Sequence, residues 1–206
     1  MRTGLASDSA ARRWVAAAPR RSFIRTADVP GSRTGVDSAL SRLAADDGPL
    51  VRVRNGLYWK KPPATRFGTA RPDPVAAALA VIGAGAGPAG VTAANVLGLS
   101  TQVPARSTLA IVGRAPKGFP SVTFTTRSNL ARLSLSPSEI AVLEVLRDPS
   151  RVVEVPWPQA VGRLRKLHDD GVVDLDLVAD VARTEHRSGL LDLVRELVGG
   201  HQVRSR

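Results

Sequence analysis

Between Ser32 and Lys61 the chain sets guanidinium and ammonium groups among short hydroxyl side chains. These residue types grip phosphate and reach base edges. Ser32, Arg33 and Thr34 open a segment in which Asp37, Ser38, Ser41 and Arg42 fall on one helical face. The free N–H groups at the start of such a helix favour a phosphate. Arg42 has the fork that suits guanine, while Ser38 and Ser41 have the reach for base edges or phosphates. Further on, Arg52, Arg54 and Asn55, then Lys60 and Lys61, form a second basic group suited to a sugar-phosphate backbone.

Other chemistries lack their residues. There is no cysteine, which excludes disulfides, thiolate catalysis and cysteine-based zinc sites. His168, His186 and His201 have no ligand spacing. The glycines from Gly83 to Gly87 follow an alanine-rich helical segment, and no carboxylate occurs between Asp73 and Glu139, so the context of a dinucleotide loop is missing. They read instead as a helix C-cap and a turn. Glu139, Glu144, Asp169, Asp170, Asp174 and Asp176 lack the carboxylate–lysine pattern of a metal-dependent nuclease, and no nucleophile-elbow spacing occurs. The expectation is a protein that is not an enzyme and takes no cofactor or metal.

Charge is unevenly placed. The net formal charge is +11; up to Arg71 there are fourteen Lys/Arg against five Asp/Glu, and beyond it fifteen against thirteen. The basic field therefore belongs to the first third, as in a phosphate-binding module. No apolar run approaches the ~20 residues of a membrane span. The stretch Val15-Ala16-Ala17-Ala18, behind the superficially twin-arginine pair Arg12-Arg13, is stopped by Pro19 and is too short for a secretory signal. A cytoplasmic protein without membrane contact is expected.

The elements that must position these residues follow from periodicity. A first helix is predicted over residues 9–18, with Trp14 and Val15 in the core. A short second helix is predicted at Thr26–Val29, capped by Thr26 and broken by Pro30-Gly31. A third helix runs from Thr34 to about Ala45, with Val36, Ala39, Leu40 and Leu43 as its inner stripe and Thr34 and Asp37 at capping-box spacing. Val51 and Val53 alternate with Arg52 and Arg54, so the valines are expected inside and the arginines outside. Asn55-Gly56 signals a type I′ hairpin turn before Leu57-Tyr58-Trp59. Residues 1–66 thus read as a winged helix-turn-helix DNA-binding domain. Residues 70–206 read as a mixed, mostly helical domain, giving an α+β chain. Its helices are expected near residues 73–82, 88–97, 138–146, 159–169, 175–183 and 189–198, with a short β-hairpin joining Thr108–Val112 to Val122–Thr125. Arg163 to Leu175 loosely echoes Arg42 to Val53, but its following charges are acidic.

The segment Phe23 to Pro62 carries Ala27-Asp28-Val29, Ala39-Leu40-Ser41-Arg42-Leu43 and Arg52-Val53-Arg54-Asn55-Gly56-Leu57-Tyr58-Trp59. It resembles the winged N-terminal domain of AbiE-type antitoxins. Gly90 to Val103 is similar to that family's second domain, through its Ala-Asn-x-Leu-Gly-Leu core. The resemblance spans roughly Phe23 to Arg147. It implies an antitoxin of a type IV toxin–antitoxin, phage-resistance system that represses its own operon through inverted repeats in double-stranded DNA. It also implies opposition to a nucleotidyltransferase-like toxin without a stable complex. Monomer and dimer on DNA both stay open. Two alternatives remain beside it: a second domain that binds the toxin directly, and a stand-alone winged-helix regulator.

Overall fold

A computed structural model describes residues 3–45, 47–64, 66 and 70–199. The chain divides into two compact units, Met1–Val81 and Ile82–Arg206. The break expected at 67–69 falls outside the described residues. The helix Pro74–Ile82, read above as the start of the second domain, is grouped up to Val81 with the first unit.

The first unit runs α1 (Thr3–Ala17), β1 (Phe23–Arg25), a 3-10 turn (Thr26–Asp28), α2 (Arg33–Leu43), β2 (Leu50–Arg54), β3 (Leu57–Lys60) and α3 (Pro74–Ile82). The strands form an antiparallel sheet in the order β1-β3-β2. Ala11 and Val15 of α1, one turn apart, pack with Val36, Ala39 and Leu40 of α2 and with Ile24, Leu50 and Tyr58 of the sheet. Trp14, expected in this core, is 41% exposed. It lies one residue before Val15 and so points away from the Ala11–Val15 stripe.

Three local expectations change. The helix-capping residue of α2 is Ser32, not Thr34: the Ser32 hydroxyl accepts from the Gly35 N–H at 3.3 Å. Thr26 opens a 3-10 turn whose cap position is Arg25, and its own hydroxyl has no hydrogen-bond partner. In the hairpin only Gly56 takes a positive φ, 75°. A type I′ turn needs positive φ at both central residues. Here a register shift between Arg52 and Arg54 makes up the difference.

The faces of β2 alternate in the opposite phase to the expected one. Arg52 pairs with Tyr58, and Tyr58 with Ile24, so these residues share the sheet face that carries Leu50 and packs on the helices. Arg52 is the exposed end of that face, while Val51 and Val53, expected inside, are only half-buried on the other.

The second unit contains β4 (Ala86–Pro88), α4 (Gly90–Val96), β5 (Ser107–Val112), β6 (Val122–Arg127), a 3-10 segment (Leu130–Ser134), α5 (Pro137–Leu146), α6 (Pro149–Val152), α7 (Trp157–Asp169), α8 (Leu175–Ala182) and α9 (Leu190–Gly199). α5 is its centre: every residue from Glu139 to Leu146 is buried, the apolar ones in packing and Glu139 and Glu144 as hydrogen-bond acceptors. A capping box between Ser136 and Glu139 starts it. Strand β4, not expected from the glycine run, lies against α5 so closely that a Cβ on Gly87 would stand 2.6 Å from the Ile140 Cβ. The expected hairpin is absent. β5 and β6 are parallel, with Ser107 opposite Val122 and Val112 opposite Arg127. The link 113–121 therefore runs back along β5. That is a span of about 17 Å at strand rise, well within its extended reach.

Arg132, 1% exposed, lies between two buried carboxylates. Its Nη1 donates to Glu144 at 2.7 Å and its Nε to Glu185 at 2.6 Å. Arg127 binds Glu144 through two donors, and Arg147 pairs with Glu185. Burial pushes both glutamates up, but the hydrogen bonds and charges of these arginines outweigh it and hold them below the usual carboxylate range.

Candidate nucleic-acid interface

In α2 the apolar residues Val36, Ala39 and Leu40 are buried, and Arg33, Thr34, Asp37, Ser38, Ser41 and Arg42 are exposed. The inner stripe fixes the helix against α1 and the sheet, leaving the opposite face to solvent. The hairpin approaches that face from the side. Between the two lies a groove of about 820 Å³. Arg33, Asp37 and Ser41 of α2 line it together with Arg52, Arg54 and Asn55 of the hairpin. Arg25 of β1 joins them, and Ala80 and Val81 of α3 form an apolar part of the wall. Four guanidinium groups against one carboxylate make the groove cationic, the field a phosphate chain seeks.

Two contacts set its geometry. The Ser41 hydroxyl lies 3.2 Å from the Tyr58 hydroxyl, which ties α2 to β3. Arg52 donates from Nη2 to Asn55 Oδ1 at 2.7 Å, so the guanidinium is held at the hairpin tip. Ser41 and Asn55 therefore each have an intramolecular partner as well as a place in the groove.

The remaining residues expected at the interface lie elsewhere. Ser32, Thr34, Ser38 and Arg42 are exposed on or beside α2 but do not line the groove. Lys60, expected on phosphate, turns toward α1 and donates to the carbonyls of Ala16 at 2.8 Å and Ala18 at 2.6 Å. It caps the helix C-terminus, where carbonyls lack partners and the dipole is negative. Lys61 is half-buried, with its backbone N–H on the Pro49 carbonyl. Arg25 and Tyr58 also line the groove, and neither is singled out for it by the sequence. The three-residue strand around Arg25 is too short for a period to show, and Tyr58 reads only as part of the return strand Leu57-Tyr58-Trp59.

In the second unit, the residues that carry the resemblance serve the fold. Asn95 donates to the carbonyls of Ser100 and Gln102. Ser100, Thr101 and Gln102 all donate to the Glu154 carboxylate.

No family model matches the chain, and no curated protein is similar to it. Among solved structures, the RV2827C protein from Mycobacterium tuberculosis is similar over 96% of this chain and 80% of its own, at 20% identity and a TM-score of 0.46. Among the described residues no helix is long and apolar enough to cross a membrane.

Proposed function

We propose that the first unit binds duplex DNA as a winged helix-turn-helix, with α2 in the major groove and the hairpin along the adjoining backbone. The observation that carries this reading is the shared groove: Arg33, Asp37 and Ser41 of one element face Arg52, Arg54 and Asn55 of the other. Arg42 and Ser38, exposed on α2, supply base readout, and the groove arginines supply phosphate contacts. With the resemblance to AbiE-type antitoxins, the reading becomes a sequence-specific autorepressor that opposes a nucleotidyltransferase-like toxin, acting in the cytoplasm.

Fluorescence anisotropy on the chain's own upstream DNA tests it. Binding is expected to exceed that of a scrambled duplex and to fall steeply with salt. Arg42→Ala should lower the preference for the native site by about 1–3 kcal/mol. Arg52→Ala with Arg54→Ala should weaken all duplexes alike and make the log–log salt slope shallower by about 2. Equal affinity for native and scrambled DNA would refute specific repression.

A further inference from the structure

The second unit holds a cavity of about 550 Å³ at the end of β6, beside the buried ion network. Its wall carries Arg127, Arg147 and the carboxylate residue Glu185, with Ser128, Asn129 and His186 beside them. The ion network it opens on contains three guanidinium groups, Arg127, Arg132 and Arg147, and two carboxylates, Glu144 and Glu185; Arg127, Arg147 and Glu185 face the cavity, and Arg132 and Glu144 lie behind them. The network therefore carries one positive charge more than its carboxylates, and solvent reaches it only in part: the side chains of Arg127 and Arg147 are 23% and 22% exposed, and Arg132, paired with both glutamates, only 1%. An uncompensated buried charge is costly. Two further observations point the same way. Burial and the neighbouring charge of Arg127 push the Arg147 guanidinium below its ordinary range. Within the network, behind the cavity lining, the Nη2 of Arg132 is buried without a hydrogen-bond partner.

We propose that this cavity takes an oxyanion of the phosphate type, free or as the head of a small monoester. Arg127 and Arg147 both line the cavity and supply charge, and the Ser128 hydroxyl stands on the same wall, while the Asn129 amide and the Thr184 hydroxyl donate within the protein, to Thr184 and Glu185 and to the Val181 carbonyl. A phosphate there completes the charge balance of the network. Arg132 acts behind Arg127 and Arg147 by fixing the two glutamates that orient them. The site is separate from the DNA groove and does not depend on it.

Calorimetric titration of the full chain with inorganic phosphate, and then with adenosine monophosphate, at constant ionic strength tests the proposal. Saturable binding at one site is expected. A monoester at least ~10-fold tighter than inorganic phosphate identifies a small-molecule ligand, and equal affinity identifies the free ion. Arg147→Gln should weaken binding by ~10-fold or more, the loss of a charge-assisted contact. Because that variant also touches the network, Ser128→Asp provides a second test: it sets a like charge at the rim and should abolish binding with the melting temperature kept. The hairpin variant lacking Arg52 and Arg54 should bind phosphate as the parent does. Absence of saturable binding, or affinity unchanged in Ser128→Asp, overturns the proposal; loss of binding only in the hairpin variant assigns the phosphate to the DNA groove instead and also overturns it.

Discussion

The Lys60 ammonium lies 2.8 and 2.6 Å from two carbonyls at the end of α1, where helical partners have run out. Lys60→Met should therefore cost about 1–2 kcal/mol in urea unfolding, whereas a solvated lysine would leave the midpoint unchanged. Glu154 plays a similar part in the second unit. The Thr101 N–H, with the Gln102 amide and the Ser100 hydroxyl, lowers its pKa to about 2. A carboxyl depressed in the folded state stabilises at pH above its unfolded value, and this contribution disappears as pH falls from about 4.5 toward 2. Glu154→Gln should flatten the decline of the urea midpoint across that window. A parallel decline in the two proteins would remove Glu154 from the account. Residue type made the arginines of the hairpin legible as a cationic group. It could not separate Lys60 from them, since a lysine at a strand end serves solvent, phosphate or a helix terminus equally well, and only the proximity of α1 decides.

At the scale of elements, the apolar period of Val36, Ala39 and Leu40 made α2 readable, as Ile140, Leu143 and Leu146 did α5. Strand pairing was less accessible. Ser107–Val112 and Val122–Arg127 are both β-prone and joined through Pro116 and Gly118, a pattern that fits a hairpin or a short crossover. The choice falls to the packing around β5, whose Leu109, Ala110 and Ile111 are fully buried between β4 and β6. The buried charges were hidden for another reason: Glu144 lies on a helix that otherwise reads as core, and its partners Arg127 and Arg132 come from β6 and the 3-10 segment. Glu144→Leu leaves Arg132 buried with one partner fewer, and should destabilise by about 3–5 kcal/mol in equilibrium unfolding. A loss below about 1 kcal/mol would mean that the pair is matched by hydrophobic packing.

Across the whole molecule, charge is the most informative sequence property. Most of the excess of Lys/Arg lies before Pro72, in the unit that also holds the groove between α2 and the hairpin. Beyond Arg71 the fifteen Lys/Arg are nearly matched in number by thirteen Asp/Glu, so that stretch adds little net charge, and Arg127, Arg132 and Arg147 meet two of those carboxylates inside the fold. The central claim is that helix and hairpin of the first unit grip a duplex as one surface. Amide chemical-shift mapping of the full chain, titrated with a duplex from its own upstream region, tests this most directly. The account predicts that residues 32–42 and 52–56 shift together and saturate at a single stoichiometry, while residues 82–199 stay within the noise. Shifts confined to the second unit, or hairpin shifts without those of α2, would contradict it.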